Sequence, residues 1–424
     1  MTEVDIVRIG AQGDGIAELA DGPVYVPYAA PGDRVRLARA DDGRKRRTAE
    51  IAELVTAGPA RIEPACRHFG TCGGCALQHL SAAYLATWKR QRILDALSGR
   101  GLVDVPVAET IGVGSGSRRR LRLAARRTQA GVILGFNARQ SHQIVDIAEC
   151  PVAEPALAAL LPALRTLLAA LLPKGGKTDV QLTLCDNGID LWLTEIDGDA
   201  MAAQRQLATF AEAQDLARIS AGGERLPVIE RRRPLVQLSG IAVPLPPGGF
   251  LQASRAGEQA LVGQVLAATA GARRVADLYA GLGTFSFALA RNARVHAVEG
   301  DAAAVASMTA GRNGASGLKQ IQIEHRDLGR RPLAGRELKP YDAVVFDPPR
   351  TGAREQAEAL AASAVETVVA VSCEPASFAR DARILVDGGY RLEGVLPVDQ
   401  FTWSAHVELV ACFARGGGRR QIGS

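Results

Sequence analysis

The alternation of apolar and polar positions divides the chain into stretches of three kinds. From residue 1 to about 58, short β-branched runs (4–9, 24–26, 34–37, 49–55) are punctuated by Gly-Asp-Gly, Asp-Gly-Pro and Pro-Gly-Asp turns, the spacing of a small all-β domain. Asp41-Asp42-Gly43 followed by Arg44-Lys45-Arg46-Arg47 reads as a hairpin tip with a basic flank, with a solvated loop as the alternative. Residues 59–235 open on a cysteine-rich loop and continue with an amphipathic helix from about 81 to 97. They then mix predicted strands (121–126, 132–136, 179–184, 189–194) with two Ala- and Leu-rich helices. The segment from 81 to about 112 is expected to pack on the unit that follows. From 236 to 415 the pattern becomes strand–loop–helix, repeated, which predicts an α/β fold built on a doubly wound parallel sheet. Residues 416–424 are expected to be a disordered tail.

Composition narrows the class. With 47% hydrophobic and 22% charged residues over 424 positions, the chain is neither a disordered segment, a collagen nor a small disulfide scaffold. The N-terminus, Met-Thr-Glu-Val-Asp-Ile, is acidic and lacks an apolar export segment. The apolar run 156–172 is interrupted by Pro162 and Arg165, so it reads as a buried helix rather than a membrane span. A cytoplasmic location without membrane contact is expected. Seven cysteines in such a setting read as metal ligands or catalytic thiols before disulfides. The net charge of +5 is unevenly placed. Arg118, Arg119, Arg120, Arg122, Arg126, Arg127 and Arg139 lie between Glu109 and Asp146 with no acidic residue among them, which predicts a face for a polyanion.

The candidate chemistry lies in the third stretch. Arg274-Val-Ala-Asp-Leu-Tyr279 reads as a strand, followed by Ala280-Gly281-Leu-Gly283-Thr284-Phe285. Glycines there bring the backbone close to a ligand at the sheet's C-terminal edge, although the pair alone is equally a plain tight turn. The next strand, 294–298, ends in Glu299, placed to hold ribose hydroxyls. Ser286 occupies the third glycine of the dinucleotide fingerprint, which disfavours a nicotinamide cofactor and leaves S-adenosylmethionine, which carries no phosphate. A further strand, 341–346, ends in Asp347-Pro348-Pro349-Arg350, where the prolines hold the Asp347 carboxylate rigid. Thr367-Val-Val-Ala-Val-Ser-Cys373 places a thiol at a strand tip in the same crevice, and Glu408 is a carboxylate in an otherwise apolar strand, where burial would raise its pKa and suit proton transfer. A thiol and a carboxyl base beside a methyl donor suit one chemistry in particular. Uracil C5 is a poor nucleophile until a thiolate adds at C6 and converts the ring to an enolate.

Cys66-x5-Cys72-Gly-Gly-Cys75 supplies three thiols on one loop, and Cys150-Pro151 is the best candidate for a fourth ligand. From spacing alone, zinc is a reasonable occupant. His68 and His79 read as loop residues, Cys185 and Cys412 as buried strand residues.

Phe250-Leu-Gln252, Asp277-Leu-Tyr-Ala-Gly-Leu-Gly283, Asp347-Pro-Pro-Arg350, Ser372-Cys373-Glu-Pro375 and His406-Val-Glu408 occur in the order found in the RNA uracil-5-methyltransferases, and the chain resembles that family over nearly its whole length. The resemblance implies a Rossmann-like class I methyltransferase domain, an N-terminal OB-like barrel of the TRAM type and a central α+β RNA-binding domain. It implies Cys373 as nucleophile and Glu408 as base. It also implies donor contacts from Gln252, Tyr279, Gly281, Thr284, Glu299, Asp327 and Asp347, and a [4Fe–4S] cluster on Cys66, Cys72, Cys75 and Cys150 in place of zinc. Among members it looks most like the large-subunit ribosomal RNA enzymes, acting as a monomer. A transfer-RNA substrate, methylation of another base, and a non-catalytic RNA-binding scaffold are the competing readings. Ser254 and Glu374 stand where many members have asparagine. The second raises the question of an added negative charge beside the thiolate.

Overall fold

The computed structural model describes residues 2–38, 47–196, 201–223 and 226–416. The hairpin tip and most of its basic flank, and nearly all of the C-terminal tail, lie outside them. The site is positioned by an eight-stranded sheet with strand order Ile321–His325, Arg294–Glu299, Arg274–Leu278, Ala343–Phe346, Thr367–Ser372, Glu408–Ala414, Arg391–Asp399, Ile111–Gly112. The first five run parallel, so their C-terminal ends share one edge. Glu408–Ala414 runs antiparallel between two neighbours, and this reversal brings its first residue, Glu408, to that same edge.

Successive residues of the central strands alternate between two apolar clusters. Val275, Val345, Val369 and Val371 join one with the helices Arg255–Ala268, Thr284–Leu289 and Ala302–Gly314. Ala276, Val344, Val368 and Ala370 join the other with Ala82–Ser98, Arg354–Ala361 and Pro375–Asp387. Both faces are covered, as an unbroken run of Val and Ala in a parallel strand requires. The helix Ala82–Ser98, capped by the Ser81 hydroxyl, packs through Ile93 and Leu97 on this sheet, while Leu85 and Trp88 cluster with Leu77 and Leu80 of the preceding loop. Lys89, with no exposed surface, is ion-paired to Asp399, and its Nζ also donates to the Phe401 carbonyl at 3.1 Å.

A six-stranded sheet carries the central region, ordered Leu226–Glu230, Arg218–Ala221, Gly188–Leu193, Lys177–Cys185, Arg120–Arg127, Val132–Gly135. The apolar run 156–172 forms two consecutive helices, Pro155–Ala159 and Leu161–Leu171, whose leucines fill the core beneath this sheet. The strands Arg218–Ala221 and Leu226–Glu230 have no clean alternation in sequence and were not anticipated. At the N-terminus, two three-stranded antiparallel sheets enclose Val4, Ile6, Val24, Val26 and Val35. The run 4–9 splits into Glu3–Asp5 and Arg8–Ile9, because Ile6 bonds out of register to Gly32 and Asp33. The strand Gly15–Leu19 starts in what the sequence marks as a turn. A Cβ at Gly15 would lie 2.7 Å from that of Ala29, so the glycine serves close packing there.

Removing the Lys89 ammonium leaves Asp399 without its cation. Lys89→Met should cost about 3–5 kcal/mol of unfolding free energy, measured by urea titration, and Lys89→Met with Asp399→Leu should recover most of it.

Candidate active site

The chain leaves the strand Arg274–Leu278 through three left-handed residues, Tyr279, Gly281 and Gly283 (φ +59°, +56° and +95°). At Gly283 a Cβ would meet the Phe287 ring at 2.7 Å, so only glycine fits. The Glu299 carboxylate closes the loop, accepting from Gly281 N at 2.8 Å and Asp301 N at 2.7 Å. Thr284 opens the following helix, and Asp327 lies exposed just beyond Ile321–His325, its Oδ1 accepting from Gly329 N at 3.0 Å. Asp277 is wholly buried. Its Oδ2 accepts from Ser286 Oγ at 2.5 Å, its Oδ1 has no hydrogen-bond partner within distance among the described residues, and burial pushes its pKa up to about 7. Ser286, the departure from the dinucleotide fingerprint, is thus the partner that Asp277 needs.

The second half of the site is a chain of polar side chains at the same edge. Gln252 Nε2 donates to Asp347 Oδ2 at 3.1 Å, and Gln400 Nε2 donates both to Gln252 Oε1 at 2.7 Å and to Glu408 Oε2 at 3.0 Å. Gln252, Gln400 and Glu408 are buried. Burial raises the pKa of Glu408, and the neighbouring Asp347 raises it further, while Gln400 and Arg350 work the other way. Asp347 is likewise raised by burial against its bond from Gln252. Cys373, just beyond Thr367–Ser372, is pushed up to about 11, first by burial and then by the charges of Glu408 and Asp347, with the Arg350 guanidinium offsetting them. The charges that bear most on the thiol are therefore those of the site itself. Glu374 acts electrostatically on Arg92 and His406. Ser254 is fully buried and caps the helix Arg255–Ala268, accepting from Gly257 N at 3.0 Å.

The four cysteines of the metal motif come together. Cys66, Cys72, Cys75 and Cys150 line one cavity of about 410 Å³, together with Arg118, Arg350 and His406. Burial pushes Cys75 up to about 12 and raises Cys72 and Cys150, and the other thiols of the set add to each shift. Gly74 N donates to Cys72 Sγ at 3.4 Å, and a Cβ at Gly73 would lie 2.6 Å from the Asn137 carbonyl. Among the described residues, no three His, Cys, Asp or Glu side chains converge tightly enough to hold a single ion. His68 accepts from Ala148 N, and His79 is buried against the Ala29 carbonyl with its pKa pushed down to about 4. Cys185 and Cys412 are buried strand residues.

The arginine run differs from its sequence reading. Arg122 and Arg126 lie on an exposed strand face, while Leu121, Leu123 and Ala125 on the opposite face are buried. Arg119, however, is 2% exposed, ion-paired to Glu258 and bonded through Nε to the Gln252 carbonyl at 2.9 Å. Arg120 bonds the Leu251 carbonyl at 3.1 Å, Arg127 that of Leu172 at 2.5 Å, and Arg139 pairs with Asp14 at 2.6 Å. A guanidinium with five donors satisfies loop carbonyls as readily as phosphates, and a charge count does not distinguish the two. Sequence reasoning also missed Gln400. It is a single amide at the end of an apolar strand, and no periodicity marks it.

A thiol near 11 is mostly protonated at neutral pH. Alkylation of Cys373 by iodoacetamide should therefore be slow at pH 7 and rise about tenfold per pH unit up to pH 10. Arg350→Ala should slow it at every pH. Mass spectrometry of the Cys373 peptide reads both effects, and a plateau by pH 8 would contradict the buried, anion-flanked thiol.

Residues 245–415 match the family model described as tRNA (Uracil-5-)-methyltransferase. An RNA methyltransferase of Brucella suis, itself uncharacterized, is 48% identical over 414 residues, covering 98% of both chains. One from Caulobacter vibrioides is 46% identical over 98% of this chain and all of its own. The 23S rRNA (uracil(1939)-C(5))-methyltransferase RlmD of Halomonas elongata is 34% identical, with 100% of this chain and 91% of its own aligned. The Pyrococcus abyssi tRNA (uracil-54, C5)-methyltransferase, solved with S-adenosyl-L-homocysteine, shares the fold at a TM-score of 0.76 and 24% identity, over 97% of this chain and 99% of its own. With a full-length relative of this kind and the thiol, carboxyl and glycine loop on one sheet edge, the chain belongs to the S-adenosylmethionine-dependent RNA uracil-5-methyltransferase family.

Proposed function

We propose that the protein methylates C5 of a uridine in 23S ribosomal RNA, with Cys373 as nucleophile and Glu408 as base. The observation that carries this reading is the placement of a thiol and a buried carboxyl at one sheet edge beside Asp347. Methylation at a ring nitrogen would need neither group. Cys373 sulfur bonds to C6, and the electron pair of the C5=C6 bond moves into an enolate. C5 then takes the methyl group of the sulfonium, Glu408 removes the C5 proton, and the C5–H pair re-forms C5=C6 as the thiolate leaves. The electrostatics favour the first step. A thiolate flanked by Glu408 and Asp347 is high in energy, and addition carries its charge away to the ring oxygens. Bound S-adenosylmethionine supplies the electrophilic methyl. Gln252, Tyr279, Gly281, Thr284, Glu299, Asp327 and Asp347 would hold it along the strand ends. Because the target base must leave its stack to reach Cys373, the enzyme acts on an extruded nucleotide.

The donor set fits a [4Fe–4S] cluster better than zinc. A single ion needs four sulfurs about 2.3 Å from one point, and among the described residues no three such side chains converge that closely; the four thiols lie instead along the wall of one larger cavity, where a backbone N–H already bonds one sulfur. Cys66, Cys72, Cys75 and Cys150 would hold the cluster. Arg118, whose guanidinium is disfavoured by burial but held charged by Cys150 and Cys75, would offset its negative charge. Methyl transfer from a sulfonium moves no net electron, so the cluster's part is architectural. We assign residues 1–58 to a TRAM-like RNA-binding barrel, 59–235 to the central domain and 236–415 to the catalytic domain, in a monomeric cytoplasmic enzyme. Ribosomal RNA is favoured over transfer RNA by the full-length 23S relative, since the transfer-RNA enzyme's likeness rests on fold.

Cys373→Ala should bind S-adenosylmethionine normally by calorimetry and lose methyl transfer. Full activity in that variant would sink the mechanism. Wild-type turnover on RNA labelled with tritium at uracil C5 should release the label, and retention would point to another position. Anaerobically purified protein should absorb in the visible region through iron–sulfur charge transfer, and a colourless zinc protein would overturn the cluster. A strain lacking the gene should lose 5-methyluridine from 23S RNA. Loss from transfer RNA instead would reassign the substrate.

A further inference from the structure

The two buried amides at the catalytic edge point in one direction, and a single backbone N–H sets that direction. Ala253 N donates to Gln400 Oε1 at 3.1 Å, so Gln400 must turn its NH₂ the other way. That NH₂ reaches both Gln252 Oε1 and Glu408 Oε2. Gln252, with its oxygen so engaged, must present its own NH₂ to Asp347. Flipping Gln400 would place oxygen against oxygen at Gln252 and Glu408, and flipping Gln252 would place oxygen against oxygen at Asp347 and NH₂ against NH₂ at Gln400; each mismatch leaves a buried group unpaired. The room for this arrangement is built in. A Cβ at Gly257 would stand 2.8 Å from Gln400 Cβ and Oε1, so any larger residue there would displace the amide. Gln400 itself is 3% exposed.

We propose that Gln400 is a positioning residue that aims the Glu408 carboxylate at the C5 proton and, through Gln252, ties that aim to the donor-side carboxylate Asp347. With Oε2 held by Gln400, Glu408 keeps Oε1 for the proton. The same bond favours the ionised carboxylate, the form that acts as a base, against the burial and the Asp347 charge that oppose it. Cys373 lies outside this chain of hydrogen bonds and feels it only through the charges of Glu408 and Asp347, so loss of the Gln400 bond removes no hydrogen-bond partner from the thiol that adds to C6. This assignment rests on Glu408 being the base of the proposed reaction, and it predicts a split between two steps that mere packing damage would not produce.

The split can be read with RNA carrying 5-fluorouridine. Sulfur addition and methyl transfer proceed on that base, but C5 then holds fluorine in place of the proton. Fluorine cannot leave as a cation to a carboxylate, so the covalent complex is trapped without the base step. Gln400→Met, close in volume and without donors, should trap fluorinated RNA at nearly the wild-type rate. On uridine RNA its turnover should fall by about 10- to 100-fold, the worth of one hydrogen bond to a charged group. Gln400→Glu, which keeps the acceptor for Ala253 N but sets a third carboxyl against Glu408 and Asp347, should lose more turnover. Equal loss of trapping and turnover in Gln400→Met would overturn the assignment and mark Gln400 as a packing residue, as would undiminished turnover. Failure of the wild-type enzyme to trap fluorinated RNA would show up before any variant is compared, and would overturn the covalent reading together with this inference.

Discussion

Three carboxyl groups, those of Asp277, Asp347 and Glu408, are held at one edge of one sheet, Asp277 and Glu408 buried and Asp347 half-buried, and burial raises the pKa of each. A carboxyl group in such a place must be given hydrogen-bond donors, a cation or a proton. Much of the local structure follows from meeting that demand. Ser286 serves Asp277, Gln252 serves Asp347, Gln400 serves Glu408, and Arg350 stands near the last two. The excess of negative charge that remains suits a sulfonium ligand. A cation entering this edge lowers the mutual repulsion, whereas a phosphate would raise it. The same field repels RNA, so backbone contacts have to come from elsewhere on the protein, such as the exposed face carrying Arg122 and Arg126.

Two other arginines of the basic run, Arg119 and Arg120, hold that edge in place. Arg119 leaves the central sheet, bonds the carbonyl of Gln252 and pairs with Glu258 on the helix that Ser254 caps. The backbone of the amide serving Asp347 is thus fixed from a different sheet. On the other flank Lys89 reaches from the helix Ala82–Ser98 to Asp399, the residue before Gln400. Buried ion pairs of this kind add little net stability compared with apolar packing, but they are intolerant of misplacement. Here Lys89 pairs with the residue before Gln400, and Arg119 also bonds the carbonyl of Gln252, so both meet the polar chain that ends on the Glu408 carboxyl.

The sequence was most legible where one residue type has one reason to be present. The glycine loop, the cysteine motif and the Asp-Pro-Pro turn stand out because few backbones or ligands require them, and the catalytic sheet followed from uninterrupted β-branched runs. The strands Arg218–Ala221 and Leu226–Glu230 lacked that signal, since a bulge between Ile219 and Ser220 breaks the two-residue period. Arginine was misread for the opposite reason: burial against a carbonyl and exposure to phosphate look alike in a count. The Glu374 question needed coordinates, because adjacency in sequence to Cys373 did not make it a leading charge on the thiol. Gln400 was invisible because its role lies entirely in its partners, which come from residues 252, 253 and 408.

The loop between Gln400 and Glu408 shows why a cysteine cavity and a methyl-transfer site belong on one chain. Immediately after Cys75, the N–H groups of Ala76 and Leu77 both donate to the Trp403 carbonyl, at 2.9 and 3.0 Å. Trp403 adopts a left-handed φ of +60°, an unfavourable state for an aromatic residue that its surroundings must enforce. Lys89 holds the carbonyl of Phe401, and Arg92 that of Ala405. Every second residue of this connection is therefore gripped from the segment 76–92, and the connection runs directly into Glu408. A ligand that rigidifies the loop 66–75 would act on the catalytic carboxyl through two backbone hydrogen bonds and one strained residue. That path would give the proposed cluster a physical means of influencing the proposed base without electron transfer.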